Sequence, residues 1–344
     1  MSSSLMGTIV GDYEIGGFLG RGQFASVNMA THAKTGETVA VKIINTSKMD
    51  RVKIEREVEN QRAVRHPNII RLMEITEVDG LVFVFMERAT GGDLFELIIA
   101  RSRLQEPEAR QYFWQIVDAV SFCHRNGVVH RDLKPENIFL DSNMNVKLGD
   151  FGLSARFEWG TPLTESVGSP NYASPELLQR ACSYQGPEVD VWALGCVLYA
   201  MITGTLPFDA DRIDALFKLI KSGTYRMPGY VSVEAKDLIS KMLTIDRDAR
   251  ASVADVQRHC WLEEQAKKSV PAKEVKAADD PNPKLLAKML LAMTDGGANQ
   301  VSHKIRSCRS FGHVTAKRRA SQCSSFGSFA RACSMESVVT TPAC

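Results

Sequence analysis

The sequence predicts an α+β fold in two unlike parts, strand-rich from about residue 13 to 86 and mostly helical from Asp93 onward. Two observations carry this. Before Thr90-Gly91-Gly92 the apolar residues alternate or come in short runs of strand length; after it they recur at helical spacing. The length of 344 residues adds a third, since it leaves room for roughly two domains or lobes plus a tail.

Residues 13–26 alternate and are interrupted by glycines, as a glycine-linked hairpin would be. Thr38-Val39-Ala40-Val41-Lys42-Ile43-Ile44 reads as a buried strand. Residues 53–65 carry a charged helical pattern that stops before His66-Pro67, because proline disfavours helix in the residue before it. Leu81-Val82-Phe83-Val84-Phe85-Met86 is an apolar run of strand length. Residues 107–124 put Tyr112, Phe113, Ile116, Val117 and Val120 on one side of a helix. Residues 189–203 are apolar nearly all round, the pattern of a helix buried in a large core, and residues 233–243 are amphipathic again. There is no internal repeat. Residues 263–294 read as a linker with a short helix, and residues 295–344, rich in Ser, Gly, Arg and Cys, as a disordered Ser/Arg-rich tail. The short helix is Pro283-Lys284-Leu285-Leu286-Ala287-Lys288-Met289-Leu290-Leu291-Ala292-Met293. It reads as a terminal helix docked on the helical part, or as a pseudosubstrate or calmodulin-type regulatory segment.

Hydrophobic residues make up 44% and charged residues 24%, an ordinary globular balance. A net charge of +2 gives no reason to expect nucleic acid as a partner. No stretch approaches the ~18 continuous apolar residues of a membrane span, so no transmembrane segment is expected. The opening residues, Met1 to Gly7, lack a basic region followed by an apolar run, and lack the Met-Gly start of a myristoylation signal. The eight cysteines include no C-x-x-C pair, so no zinc site is expected. Cys123, Cys182, Cys196 and Cys260 are expected to be reduced small hydrophobes; Cys308, Cys323, Cys333 and Cys344 leave redox chemistry or lipid attachment open.

Four segments carry chemistry. Gly20-Arg21-Gly22-Gln23-Phe24-Ala25-Ser26-Val27 is a glycine-rich turn whose backbone amides can approach phosphate oxygens closely. A third glycine would stand at Ala25; a methyl group is the smallest possible intrusion. Val39-Ala40-Val41-Lys42 sets a lysine in an apolar strand, which is costly unless it is paired. Either Lys42 points outward from an edge strand or it holds phosphate oxygens. His130-Arg131-Asp132-Leu133-Lys134-Pro135-Glu136-Asn137 is followed, eighteen residues after Asp132, by Asp150-Phe151-Gly152. Two acids and an amide at such spacings suit Mg²⁺, which takes oxygen ligands and keeps several waters. Phosphoryl transfer needs these parts: a cover for the phosphates, a lysine on them, a metal, and a group that orients the acceptor hydroxyl. Any one tripeptide arises by chance; the whole set in order, on the expected element types, does not.

On these residues the chain resembles the eukaryotic protein kinase family from about Tyr13 to Leu262. Further marks agree: Ser174-Pro175-Glu176 stands where Ala-Pro-Glu is usual, Asp190-Val191-Trp192-Ala193-Leu194-Gly195 matches the buried helix under the catalytic loop, and Arg250 matches the arginine that pairs with Glu176. The resemblance implies a bilobal kinase domain over residues 13–262: a β-rich N-lobe (13–86), a hinge (87–90) and a helical C-lobe (91–262), with ATP between them. It implies a serine/threonine protein kinase that moves the γ-phosphoryl group of Mg-ATP to hydroxyls of protein substrates. Asp132 would orient the hydroxyl, with Lys134 beside it in the serine/threonine pattern. Asn137 and Asp150 would hold Mg²⁺, and Lys42, paired with Glu57, the α/β-phosphates. Leu19, Gly20, Gly22, Val27, Ala40, Lys42, Met86 as gatekeeper, Glu87, Ala89, Asp93, Glu136 and Phe139 would surround ATP.

Gly168-Ser169-Pro170-Asn171-Tyr172, Gly186-Pro187-Glu188-Val189-Asp190 and Gly204-Thr205-Leu206-Pro207-Phe208-Asp209 look most like the AMP-activated/SNF-type branch of the calcium/calmodulin-dependent kinases. The polo-like family is the runner-up, on Phe139 and Val233-Glu234-Ala235-Lys236-Asp237-Leu238-Ile239. A nucleotide-binding pseudokinase, or a scaffold driven by its tail, is the alternative function. Lys42, Asp132, Asn137 and Asp150 argue against it; only Ala25 and Gln61 lean toward it. The expected partners are protein substrates and regulators that bind the tail; the expected location is the cytoplasm, with the nucleus as an alternative.

Two positions depart from the family pattern, and one substrate preference follows from it. Gln61, a turn after Glu57, falls where the family usually has an apolar residue, so it either costs packing or finds a backbone carbonyl. Within the activation segment, residues 150–176, the branch's usual phosphothreonine position falls on Glu165, between Thr164 and Ser166 and just ahead of Ser169. Either Glu165 meets Arg131 in place of a phosphate, or it is a solvated loop residue and Thr164 or Ser166 is the phosphosite. Asp93 and Glu136 match the acidic positions that meet an arginine three residues before the acceptor. Arg318-Arg319-Ala320-Ser321 and Arg331-Ala332-Cys333-Ser334 carry that spacing in the tail, as a self-phosphorylation signal, as targets of other kinases or by chance.

Overall fold

The alternation of residues 13–26 folds into paired antiparallel strands, and the apolar runs extend them into a sheet. The computed structural model describes residues 5–22, 25–179, 181–263 and 265. Its described residues form two compact units. One holds the chain to Ile54 and Arg71–Arg88; the other holds Glu55–Ile70 and the chain from Ala89 onward. The second half of the first helix thus belongs with the helical unit, although the sequence groups residues 13–86 together. Hydrogen bonds give the reason: Asn60 Nδ2 donates to Ser154 Oγ (3.0 Å), and Asn68 Nδ2 donates to Gln115 Oε1 and Val146 O (2.9 Å each).

In the first unit, β1 (Ile9–Val10), β2 (Tyr13–Arg21), β3 (Ala25–His32), β4 (Thr38–Asn45), β5 (Leu72–Val78) and β6 (Leu81–Met86) form one antiparallel sheet in the order β1-β2-β3-β4-β6-β5. β4 is interior, which removes the edge-strand reading of Lys42. One face of the sheet packs Tyr13, Ile15, Val39, Val41, Ile43 and Phe85 into a small core, with Tyr13 stacked on Phe85 at 4.1 Å. Helix α1 (Arg51–Ala63) follows β4 and ends before Pro67, as its sequence predicts.

The second unit contains α2 (Leu94–Arg101) and α3 (Glu106–Arg125), then the short strands β7 (Val128–Val129), β8 (Ile138–Leu140), β9 (Val146–Leu148) and β10 (Ala155–Arg156). Two antiparallel pairs result, β8 with β9 and β7 with β10. Helices α4 (Pro187–Thr203), α5 (Ile213–Ser222), α6 (Val233–Met242) and α7 (Val253–Gln257) complete it. α4 is buried on every side from Val189 to Ile202, as its unbroken apolar pattern requires, and its Trp192 stacks on Phe208 at 5.5 Å. On α3, Phe113, Ile116, Val117 and Val120 are buried, whereas Tyr112 is only partly covered at the margin. Cys123, Cys182 and Cys196 are buried as expected, but Cys260 is exposed, because it sits at the outer turn after α7.

No helix among the described residues is long and apolar enough to cross a membrane. The expected helix at residues 283–293, Ser321, Ser334 and the four tail cysteines lie outside the described residues, as do Gln23 and Phe24.

Candidate active site

The loop after β7 is fixed from below by one buried carboxylate. Asp190, in the first turn of α4, accepts the backbone N–H of His130 (2.9 Å) and of Arg131 (2.8 Å), and lies 2.8 Å from His124 Nε2. Burial alone would push the Asp190 carboxyl up; the hydrogen bond and charge of His124, with His130 beside it, hold it below the usual carboxylate range. His130 Nε2 lies 2.9 Å from Gly149 O, so the loop is tied to the segment that carries Asp150. Arg131 (φ +67°) and Asp150 (φ +54°) both adopt left-handed backbone, which side chains other than glycine rarely do; such strained residues concentrate at functional sites.

Every acceptor direction of Asp132 is used. Oδ1 accepts Ser169 N–H (3.0 Å) and Ser169 Oγ–H (2.8 Å); Oδ2 accepts Lys134 Nζ (2.8 Å) and Asn137 Nδ2 (3.0 Å). Lys134 Nζ also reaches Ser169 Oγ at 2.8 Å. Burial works against the charged amine of Lys134. The charge and hydrogen bond of Asp132 outweigh it, with Glu136 and Asp150 adding, so Lys134 is held above the usual lysine range. Asp132, Lys134, Asn137 and Ser169 therefore form one cluster, and Asp150 and Glu136 lie close enough to act on its lysine.

The residues assigned to Mg²⁺ fit that ion. Asn137 spends its amide N–H groups on Asp132 O (2.8 Å) and Asp132 Oδ2 (3.0 Å), which fixes the amide and leaves its oxygen as the acceptor for a ligand. At Gly152 a Cβ would stand 3.2 Å from Asp150 Oδ1 and 3.5 Å from Glu57 Oε2, so only glycine leaves full room beside these carboxylates. Among the described residues no three His, Cys, Asp or Glu side chains gather as a metal-ligating group. A Mg²⁺ ion that shares phosphate oxygens and waters needs only one or two protein carboxylates.

In the sheet unit, Val27 pairs directly with Lys42, and Ala40 with Met86. Directly paired residues share a face, and so do residues two apart on a strand, so Val27, Ala40, Lys42 and Met86 line one face together. All four are half-buried there, while Val41 and Phe85 fill the core on the other face. Leu19 and Gly20 end β2, and Gly22 N–H bonds back to Ala25 O at 2.9 Å, closing the glycine-rich turn. Glu87 N–H bonds to Arg71 O at 2.8 Å, and Ala89 lies in the irregular stretch that follows β6.

In the helical unit, Phe139 packs over Gly149, where a Cβ would come within 2.9 Å of the ring. Asp93 pairs with Phe139 in an isolated bridge, but its side chain is partly committed: Oδ1 accepts Glu96 N–H at 2.8 Å and caps α2. Burial pushes the Asp93 carboxyl up, only partly offset by that bond. Glu136 is half-buried, and its Oε2 has no hydrogen-bond partner among the described residues, so of the two acidic candidates it is the less committed.

The departures resolve as follows. Gln61 is buried and donates to Ile70 O at 3.3 Å, the backbone-carbonyl outcome. Glu165 is paired, not merely solvated: Arg131 Nη2 donates to its Oε2 at 2.8 Å, and Arg56 Nη1 reaches both oxygens at 3.3 Å. Thr164 is exposed, and Ser166 turns its hydroxyl inward to Leu177 O at 2.8 Å. Glu176 and Arg250 form the expected buried pair, with two bonds of 2.7 and 3.0 Å. Sequence reasoning missed Arg56, Asn60, Ser154 and Tyr184. Each acts through a partner far away in the chain, so no local spacing marks it.

The protein kinase domain family matches residues 13–262. The chain is 45% identical over 259 residues to the SNF1-related protein kinase catalytic subunit alpha KIN12 of Arabidopsis thaliana, covering 74% of this chain and 52% of that protein. It is 47% identical over 256 residues to the serine/threonine protein kinase OSK3 of Oryza sativa subsp. japonica, covering 73% of this chain and 50% of that protein. The chain thus spans about half the length of the curated relatives it matches. An SNF1-related kinase among these relatives supports the SNF-type branch over the polo-like runner-up. A family match over this much of the chain, on a fold with a β-sheet unit and a helical unit, leads to one conclusion: the chain belongs to the protein kinase domain family.

Proposed function

We propose that the chain is a serine/threonine protein kinase that transfers the γ-phosphoryl group of ATP to Ser and Thr hydroxyls of protein substrates. The observation that carries this is the Asp132 cluster. A carboxylate bonded on both oxygens, with a lysine bridging it to Ser169, is held in a fixed orientation, and an incoming hydroxyl would take the place of the Ser169 hydroxyl on Oδ1. Lys134 would meet the charge on the transferred group. Lys42 is assigned to the α/β-phosphates, and the turn at Gly20 and Gly22 to covering them. Val27, Ala40 and Met86, the half-buried face beside Lys42, are assigned to the adenine side. Asn137 and Asp150 would hold Mg²⁺, which when bound neutralises phosphate charge. The proposed substrate preference is Arg three residues before the acceptor, read mainly by Glu136.

Purified protein incubated with γ-labelled ATP, Mg²⁺ and a basic Ser-containing peptide tests the reading. Label on the peptide, lost in Asp150→Ala, is the expected result. Nucleotide binding without any transfer by the wild type would mark a pseudokinase instead.

A further inference from the structure

Arg131 immediately precedes Asp132, and its guanidinium is wholly buried. Its side chain is 0% exposed, and its donors run to Leu153 O (2.7 Å), Tyr184 Oη (3.0 Å) and Glu165 Oε2 (2.8 Å). Two of these partners are neutral; Glu165 is the carboxylate paired with it. A buried cation without an anion is strongly unfavourable, so the loop that holds Asp132 depends on that partner. Glu165 is gripped a second time from α1, where Arg56, the neighbour of Glu57, reaches both oxygens at 3.3 Å. It is gripped a third time through its backbone: Tyr184 Oη, which takes a bond from Arg131, donates to Glu165 O at 2.8 Å. Gly168 fits the same arrangement. Its φ of +109° and the 2.6 Å from its would-be Cβ to Arg131 O bring the activation segment against the catalytic loop.

We infer that Glu165 is a built-in substitute for an activating phosphate: a positioning residue that holds the activation segment to Arg131 and to α1, so that the site is assembled without phosphorylation of this segment. The inference rests on the kinase reading above. Two arginines converging on one acidic group from two separate elements is the way a phosphorylated loop residue is held. The carboxylate supplies one unit of charge where a phosphate supplies nearly two, so the grip is weaker than a phosphate's but permanent. Partial burial pushes the Glu165 carboxyl up, yet the hydrogen bond and charge of Arg131, then Arg56, more than offset this and hold it below the usual carboxylate range. It is therefore ionised at neutral pH. Ser166, whose hydroxyl is bonded inward to Leu177 O, is poorly placed to be modified in this arrangement.

The full chain, treated with phosphatase and shown by mass spectrometry to carry no phosphate in residues 150–176, should keep most of its peptide-kinase turnover. Glu165→Ala and Glu165→Gln should each lose roughly tenfold or more in kcat, the scale of one charge-assisted hydrogen bond, with little change in KM for ATP. A chemical rescue separates charge from simple folding. Glu165→Cys should be weak, regain turnover when alkylated with iodoacetate, which restores a carboxylate, and not regain it with iodoacetamide, which leaves a neutral amide. Wild type alkylated in parallel controls for the native cysteines. The inference is overturned if phosphatase-treated wild type is inert and recovers on phosphorylation of Thr164 or Ser166, or if Glu165→Gln turns over normally. A wild type inert in every phosphorylation state would overturn the kinase reading as well, which is a different and recognisable outcome.

Discussion

Asp132 has no spare acceptor, and this makes its replacements predictable. An amide at this position would turn its N–H groups either toward Lys134 and Asn137 or toward the Ser169 backbone N–H, all of which donate there. Asp132→Asn should therefore lower kcat by at least about a hundredfold, comparable with removing a fixed polar group from other enzyme sites, while thermal unfolding shows a folded protein. Near-normal turnover would remove Asp132 from its proposed role. Lys42→Met tests the other unit. Lys42 sits in an interior strand, on the half-buried face away from the core, so a methionine should be accommodated in the sheet. The expected outcome is loss of peptide phosphorylation with the melting temperature nearly kept. A variant that phosphorylates at the wild-type rate would show that Lys42 does not serve the phosphates.

At the scale of elements, the site is held by bonds between segments that are distant in sequence. The clearest is the pair joining Glu176, at the end of the activation segment, to Arg250, before α7. Arg250 spends four further contacts on its surroundings, to Thr244 O, Glu188 O, Ile245 O and the face of Trp192. Arg250→Ala would leave Glu176 buried and unpaired, which costs about 3–5 kcal/mol. The melting temperature should then fall by on the order of ten degrees for a domain of this size. Arg250→Lys should recover little of it, because one ammonium cannot make the paired bonds of the guanidinium fork. A shift of only a degree or two would mean that the pair is solvated. The same long-range character explains what could be read in the sequence. β4, β6, α1, α3, α4 and α6 were legible because each has enough residues to display its period. β7 to β10 span two or three residues each, too few for alternation, and their pairing is set by register with partners. α5 was legible and was missed: Leu216 and Ile220 stand four apart and are both buried. Asp132, Asn137, Asp150 and Lys42 were legible because their spacing forms a motif. Arg56 and Glu165 meet across 109 positions, and only the folded chain brings them together.

For the molecule as a whole, the residues after Gln265 lie outside the described structure, and their sequence chemistry is the guide. Cutting the chain after Glu264 should lower its melting temperature or solubility if the apolar run at residues 283–293 docks on the helical unit, the expected outcome for a short apolar helix. A gain in turnover would instead make it autoinhibitory. Substrate choice is the broader question. Asp93 and Glu136 looked equivalent in sequence, but the structure makes them unequal: Asp93 caps α2, whereas Glu136 Oε2 has no hydrogen-bond partner among the described residues. An arginine three residues before the acceptor should be read chiefly by Glu136. Glu136→Ala should reduce kcat/KM for such a peptide by roughly tenfold, on the scale of a charge-assisted bond, and leave a peptide with alanine there almost unaffected. Asp93→Ala should cost stability through its lost cap, about 1 kcal/mol, more than selectivity. The tail offers the same test within the molecule. Arg318 and Arg331 stand three residues before Ser321 and Ser334, and tethering raises the effective concentration of both serines at the site. After incubation with Mg²⁺ and ATP, phosphate mapped to Ser321 or Ser334 should be present in wild type, reduced in Glu136→Ala and absent in Asp150→Ala. A peptide screen with no selection for arginine at that position, or tail phosphorylation unchanged in Glu136→Ala, would show that Glu136 does not read the substrate.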